Sequence, residues 1–130
     1  MKIVAVDDEN VVLQVLKKQL EYRDNSFEVE TFTSAKKALD YIQNNRVDVC
    51  LVDFRMPEMS GTDFIAKVRE FDQVIKMFVL TGINKNPAEF YNENIDGYLI
   101  KPFNFKIFEN LLENKGTRCY FEEEYGLKLV

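Results

Sequence analysis

The sequence contains no histidine and only two cysteines among its 130 residues. Without histidine, the chain cannot carry out Ser-His or Cys-His catalysis, use a histidine general base or bind zinc through imidazole. Cys50 and Cys119 have no partner at a spacing typical of metal ligands. Any chemistry must therefore use carboxylates, hydroxyls and lysine.

Several locations and partners are also disfavoured by what the chain lacks. Its first residues, MKIVAV, lead directly into acids, and no apolar run approaches the length of a membrane span, so neither a signal peptide nor membrane contact is expected. A net charge of -5 disfavours direct nucleic-acid contact, which needs a basic patch. Cys50, inside an apolar run, indicates a small buried hydrophobe in a reducing, cytoplasmic setting.

Short apolar segments alternate with amphipathic segments along most of the chain, and its length fits one domain. Strands are predicted at Lys2–Val6, Glu28–Phe32, Val47–Val52, Lys76–Leu80 and Gly97–Ile100. Helices are predicted at Val11–Arg23 after an Asn10 cap, from the Ser34 cap to Asn44–Asn45, through Phe64–Val68, and from Asn104 to about Glu113. A short helix is considered at Pro87–Glu93, although its aromatic residues and the asparagines around it count against it. The pattern predicts an α/β fold with a parallel sheet covered on both faces.

The first predicted helix carries Val12, Val15, Leu16 and Leu20 on roughly one face, which we expect to be buried.

Polar side chains stand at the carboxyl ends of four predicted strands. Asp7 and Asp8 follow the first strand, Asp53 the third, Thr81 the fourth and Lys101 the fifth. Open α/β sheets place their ligand crevice at this edge, and with strand order 2-1-3-4-5 the first and third strands are neighbours at the switch point. The three carboxylates are therefore expected to converge in one cleft.

Three close carboxylates repel one another unless a cation lies among them. Mg²⁺ prefers oxygen ligands and is usually held by one or two carboxylates together with water and phosphate oxygens. Lys101 adds a positive charge and Thr81 a hydroxyl donor, both suited to phosphate oxygens. An aspartate can itself serve as the nucleophile in such a reaction and form an aspartyl-phosphate.

The complete set of residues resembles the receiver domains of two-component response regulators. It comprises Asp7–Asp8, the run Asp53–Phe54–Arg55–Met56–Pro57 with Gly61, Thr81–Gly82 and Lys101–Pro102–Phe103. The order and approximate spacing match from Met1 to about Glu113. The resemblance implies a doubly wound, flavodoxin-like three-layer sandwich of five parallel strands in the order 2-1-3-4-5.

The resemblance also implies a role for each matching residue. Asp53 would accept a phosphoryl group from a phosphohistidine of a partner histidine kinase or phosphotransfer protein, and Lys101 and Thr81 would hold its oxygens. Asp8, Asp53 and the Arg55 backbone carbonyl would bind Mg²⁺, with Asp7 acting near the metal through water. The chain would be no enzyme beyond assisting its own phosphorylation and dephosphorylation.

The signal would leave the site through a conformational switch. On phosphorylation, Tyr98 would turn inward and repack the surface formed by the fourth helix, fifth strand and fifth helix, where an output domain, target protein or second copy could bind. The peptide bond between Lys101 and Pro102 is expected to be cis. The last predicted helix contains Lys106 but no arginine, which makes the dimer of winged-helix transcription factors in this family less favoured.

Several of these residues and the fold itself allow other interpretations. Asp7 or Asp8 could cap the first helix, and Tyr98 could be static packing. A pseudo-receiver would lack an acid, the threonine or the lysine, and a haloacid-dehalogenase-type phosphatase would need a second aspartate where Arg55 stands. A flavin site would need a hydroxyl- and glycine-rich phosphate loop after the first strand.

Two segments are expected, a receiver domain at 1–115 and a C-terminal extension or linker at 116–130. The second segment begins with a helix-stop glycine, Gly116, and ends in the strand-like Leu127–Val130. We expect it to lead into a larger regulator.

Overall fold

The structure is a computed structural model that describes residues 1–82, 94–101, 103–113, 120–122 and 127–129. Within these residues the strands are β1 (Lys2–Val6), β2 (Glu28–Phe32), β3 (Val49–Asp53), β4 (Lys76–Thr81), β5 (Gly97–Ile100), β6 (Tyr120–Glu122) and β7 (Leu127–Leu129). The helices are α1 (Asn10–Arg23), α2 (Ala35–Asn44), α3 (Gly61–Arg69) and α4 (Phe105–Glu113). The predicted alternation of strands and helices is confirmed for this part of the chain.

Five strands form one parallel sheet in the order β2-β1-β3-β4-β5, which confirms the predicted fold class and strand order. In the register, Val6 pairs with Val52, Asp53 with Leu80, and Thr81 with Ile100. The carboxyl ends of β1, β3, β4 and β5 therefore meet at one edge of the sheet. This edge is the one that open α/β sheets use for binding.

The two faces of the sheet are covered by different helix pairs, giving three layers. On one face, α2 and α3 supply buried residues such as Ala38 and Phe64. On the other, α1 and α4 supply residues such as Leu16 and Phe108. Because side chains alternate along a strand, the fully buried β3 contributes to both faces, so it needs apolar residues throughout until it reaches Asp53.

The predicted buried face of α1 was partly wrong. Leu13, Leu16 and Leu20 are buried, whereas Val15 is 52% exposed. Apolar residues occupy six of the positions from 11 to 20, more than one buried stripe can hold, so periodicity alone did not fix the rotation of the helix. Packing turns the larger leucines inward, and Val11 and Val15 line a shallow apolar groove of about 290 Å³.

The start of α1 also differs from the prediction. Asn10 is the first helical residue rather than the cap, and Glu9 occupies the cap position without a side-chain hydrogen bond. The predicted Ser34 cap is confirmed, since its hydroxyl accepts the Lys37 N–H at 3.3 Å. At the last helix, the side chain of Asn104 accepts the Ile107 N–H at 3.2 Å, so Asn104 flanks α4 instead of opening it.

Arg69, the last residue of α3, forms hydrogen bonds that hold the segment leading into β5. Its guanidinium donates to the carbonyls of Ile75 at 2.7 Å and Asn94 at 3.0 Å, and it pairs with the Asp96 carboxylate at 3.0 Å. Asp96 also accepts the Met77 N–H at 2.8 Å. This network joins α3, β4 and the residues before β5, and so helps to set where the last sheet strand delivers its polar end.

Some predictions fall outside the described residues, namely the helix at Pro87–Glu93, the cis bond to Pro102 and the helix stop at Gly116. Cys119 also lies outside them.

In the C-terminal segment, β6 and β7 pair in antiparallel fashion, and β7 confirms a strand at Leu127–Leu129. Across the described part of the chain, none of the helices has the length and apolar character needed to cross a bilayer.

Candidate functional site

The predicted site residues come together at the carboxyl edge of the sheet. Asp7 and Asp8 follow β1, Asp53 ends β3, Thr81 ends β4, and Lys101 follows β5. The Lys101 N–H donates to the carbonyl of Thr81 at 2.8 Å, which extends the β4–β5 pairing by one residue. The strands β1, β3, β4 and β5 therefore deliver their polar side chains at nearly the same level of the sheet.

Asp7 is the most buried acid of the group, with only 1% of its surface exposed. One carboxylate oxygen accepts the Glu9 N–H at 2.9 Å, and the other lies 3.0 Å from Lys101 Nζ. A buried carboxylate is tolerated when both oxygens have such partners. Glu9 occupies the cap position of α1, so the alternative in which Asp7 or Asp8 caps that helix is wrong.

Asp53 is the central carboxylate of the site. Its side chain is 12% exposed, and Oδ1 lies 2.9 Å from Lys101 Nζ. Burial is the main cause that raises the pKa of Asp53, and the negative charges of Asp7 and Asp8 raise it further. The hydrogen bond and charge of Lys101 act in the opposite direction without cancelling that rise.

Lys101 bridges two carboxylates. Burial by itself disfavours the ammonium, but the hydrogen bonds and charges of Asp53 and Asp7 outweigh it and raise the pKa of Lys101. The lysine is therefore charged at neutral pH. Its side chain remains 27% exposed, so it is accessible from the cleft as well as bonded within it.

The three acids form a cluster of oxygen donors that suits a hard divalent cation. Asp7, Asp8 and Asp53 each offer a carboxylate oxygen, and these oxygens lie within 4.8 Å of one another. With no sulfur or imidazole donor among these residues, the set fits Mg²⁺ rather than zinc. Asp8 is exposed, which leaves one side of the cluster open to water and to a ligand.

The loop that follows Asp53 is held close to the site by its backbone. The Phe54 N–H donates to the Leu80 carbonyl and the Gly61 N–H to the Phe54 carbonyl, both at 2.8 Å. A Cβ on Gly61 would lie only 2.5 Å from the Asp53 carbonyl oxygen, so no other residue fits without moving the strand end. Arg55, exposed in this loop, is the residue whose carbonyl was predicted to bind metal.

Tyr98, the predicted switch aromatic, is only 5% exposed and packs in the cluster formed with α2 and α3. Its role in switching stays a prediction.

Sequence reasoning missed two features around the site, the contact of Lys101 with Asp7 and a hydrogen bond from the Asp53 loop to α2. In the latter, the Glu58 carboxylate accepts the Ala35 N–H at 3.0 Å. Both join residues that are far apart in the chain, and neither has a local sequence signal. Only the crevice rule, which places both Asp7 and Lys101 at this edge, could have suggested the first.

The strand order, the acidic cluster at the switch point and the lysine beside it together define a receiver-type signalling domain. Residues 3–113 match the family model described as the response regulator receiver domain. The chain therefore belongs to the response regulator receiver domain family.

Known relatives agree with this assignment. The transcriptional regulatory protein SrrA of Staphylococcus aureus is 33% identical over 103 residues, which cover 78% of this chain and 42% of SrrA. The chain thus spans less than half the length of the curated relatives it matches.

Solved structures of receiver domains have the same fold. A CheY-like receiver domain from Methanospirillum hungatei JF-1 superimposes with a TM-score of 0.74 at 30% identity, covering 86% of this chain and 94% of that one. The response regulator TrrA of Thermotoga maritima, whose structure is a complex with Mg²⁺-BeF, gives a TM-score of 0.76 at 25% identity and covers 86% and 96%.

Proposed function

We propose that the domain accepts a phosphoryl group on Asp53 from a phosphohistidine of a partner histidine kinase or phosphotransfer protein, with the help of Mg²⁺. The observation that carries this proposal is the convergence of three carboxylate oxygens within 4.8 Å, with Lys101 Nζ 2.9 Å from Asp53. The membership of the chain in the receiver domain family also supports a phosphoacceptor role for this acidic cluster.

The residues of the site have distinct tasks in the transfer. A carboxylate oxygen of Asp53 attacks phosphorus, the P–N bond of the donor breaks, and the imidazole leaves with its electron pair and then takes up a proton. Lys101 and the Thr81 hydroxyl hold the phosphoryl oxygens. Asp8, Asp53 and the Arg55 carbonyl would hold Mg²⁺, with Asp7 acting through water. When bound, the ion supplies charge neutralisation and a template for in-line transfer.

Phosphorylation would alter the surface that binds a downstream partner. We propose that this surface is formed by the predicted fourth helix, by β5, which carries Tyr98, and by α4, the last predicted helix, and that an output domain, a target protein or a second copy binds there. A local charge change can bias such a surface when two packings differ by only a few kcal/mol. We further propose that the receiver domain occupies 1–115, that 116–130 is an extension or linker, and that the domain itself contacts neither nucleic acid nor membrane.

The proposal is tested by incubating the protein with Mg²⁺ and either acetyl phosphate or phosphoramidate. We expect intact-mass spectrometry to show the gain of one phosphoryl group that is stable in acid and lost in base, as an acyl-phosphate requires. Omission of Mg²⁺ is the control and should reduce the gain to background. The absence of a gain with every donor would contradict phosphate transfer and favour an interaction domain of the same fold.

Binding of Mg²⁺ should weaken on acidification from a higher pH than an ordinary aspartate site would show. The metal requires the ionised carboxylate, and burial raises the pKa of Asp53, so protons compete with the metal from above the usual aspartate range. Calorimetric titrations from pH 8 downward should show the dissociation constant beginning to rise above the usual aspartate range and approaching about tenfold per pH unit below the pKa of Asp53. A dissociation constant that stays level until the pH enters the usual aspartate range would contradict the prediction.

A further inference from the structure

The loop between β3 and α3 is tied to α2 by a side chain that the proposed chemistry does not use. The Glu58 carboxylate accepts the backbone N–H of Ala35 at 3.0 Å, across 23 residues of sequence. Ala35 is the first residue of α2, and its N–H belongs to the first helical turn, which has no partner within the helix. The Ser34 cap bonds to Lys37, so Glu58 satisfies a different donor of that turn.

This hydrogen bond is favourable for two physical reasons. The acceptor is a carboxylate, and charge-assisted hydrogen bonds are stronger than neutral ones. A negative charge at a helix N-terminus also interacts favourably with the helix dipole. Glu58 is itself exposed, but the Ala35 at the other end of the bond is 1% exposed, so the donor group is fixed within the fold.

Glu58 lies in the middle of the loop, between the two points at which backbone hydrogen bonds hold it. The first and last residues of the loop region are held by the backbone bonds of Phe54 and Gly61. Arg55 lies between the Phe54 anchor and Glu58. Met56 and Met59, on either side of Glu58, pack against the cluster that includes Ala35. The Glu58 bond therefore adds a directed restraint to packing that is otherwise apolar.

We propose that Glu58 is a positioning residue that couples the phosphoacceptor loop to α2 and thereby holds the Arg55 carbonyl in place for the metal. The inference rests on the proposed function, in which that carbonyl is a ligand of Mg²⁺. A ligand carried on a loop binds well only when the loop is pre-ordered, and groups that orient metal ligands typically contribute 10–100-fold to metal affinity. Coupling is reciprocal, so occupancy of the site also strengthens the bond at the start of α2.

The test is a calorimetric titration of Mg²⁺ into the wild type, Glu58→Ala and Glu58→Gln at one pH and ionic strength. Both variants lose the charge, but glutamine keeps an oxygen that can accept the Ala35 N–H. We expect Glu58→Ala to raise the Mg²⁺ dissociation constant by about 10-fold, the lower end of the effect of such supporting groups. Glu58→Gln should stay within about threefold of the wild type because the neutral acceptor still makes the bond.

A second readout follows the amide itself. Hydrogen exchange at the Ala35 N–H should be slower in wild-type protein saturated with Mg²⁺ than in metal-free protein, and this difference should disappear in Glu58→Ala. If Glu58→Ala does not fold, the wild-type exchange measurement and Glu58→Gln decide the question.

Three results would overturn the inference. A folded Glu58→Ala that melts earlier but binds Mg²⁺ as the wild type does would assign Glu58 a purely structural role. Equal weakening in the alanine and glutamine variants would attribute the effect to charge rather than to the bond. Exchange at Ala35 that is insensitive to Mg²⁺ would remove the coupling. A wild type that binds no Mg²⁺ would instead overturn the proposed function, and the coupling with it.

Discussion

Asp53→Asn protein is expected to gain no phosphoryl mass from acetyl phosphate or phosphoramidate under conditions that modify the wild type. The substitution keeps the size of the side chain, but an amide oxygen does not form the acyl-phosphate that a carboxylate forms. The fold should survive, because burial disfavours the charged form of Asp53 and so raises its pKa, and a neutral amide of the same size avoids that cost. Lys101 also keeps its contact with Asp7.

Two companion variants separate the nucleophile from the metal ligand. Asp8→Asn should slow the reaction by weakening Mg²⁺ binding, so a higher Mg²⁺ concentration should restore much of the rate, whereas Asp53→Asn should not respond. Asp40→Asn, an exposed acid on α2, should behave as the wild type. The assignment of Asp53 as the phosphoacceptor is wrong if Asp53→Asn still gains the base-labile group.

Gly61→Ala is expected to destabilise the domain and to disturb the site at the same time. The added Cβ would meet the Asp53 carbonyl oxygen at 2.5 Å and the Phe54 Cα at 3.1 Å, and both are backbone atoms that cannot rotate away. Overpacking of this kind costs about 1–3 kcal/mol. For a chain of this length, that corresponds to a fall in Tm on the order of 5–10 °C, measured by thermal unfolding in circular dichroism.

Gly82→Ala is the matched control. A Cβ at Gly82 would have no described atom within 4 Å, and neither glycine has a left-handed φ, so the pair compares available space alone. We expect Gly82→Ala to unfold within about 0.5 kcal/mol of the wild type, as surface substitutions usually do. An equal Tm for Gly61→Ala and Gly82→Ala, together with a wild-type phosphorylation rate, would contradict this prediction. It would mean that the end of β3 and the loop can move to accept the added Cβ.

The features that sequence predicted well depend on local chemistry or on a general rule of topology. The strands Lys2–Val6 and Glu28–Phe32 match the structure to the residue because their apolar patterns end at acids or at a helix cap. The site could be assembled from the sequence because Asp7, Asp8, Asp53, Thr81 and Lys101 each follow a predicted strand, and parallel strands end at a common edge. The convergence of Asp7, Asp8 and Asp53 is a consequence of that rule.

The features that sequence did not predict depend on side-chain geometry across the fold. The rotation of α1 was wrong because valines and leucines both fit the helical period, and only packing decided which of them faced the sheet. The Arg69–Asp96 pair and the Glu58–Ala35 bond join separate elements, so no spacing in the sequence encodes them. The boundaries of β3 and β4 moved to include Asp53 and Thr81, because the sheet hydrogen bonds continue past the last apolar residue.

The contact of Lys101 with both Asp7 and Asp53 has a consequence for charge balance. When all are ionised, three carboxylates and one ammonium leave two negative charges at the edge of the sheet. One divalent cation brings that total to zero, whereas a monovalent cation leaves the cluster anionic. In the proposed phosphoryl transfer, the arriving group would then enter a neutral environment instead of a repulsive one. In the proposed function, the lysine would thus favour a divalent ion before it makes any contact with phosphate.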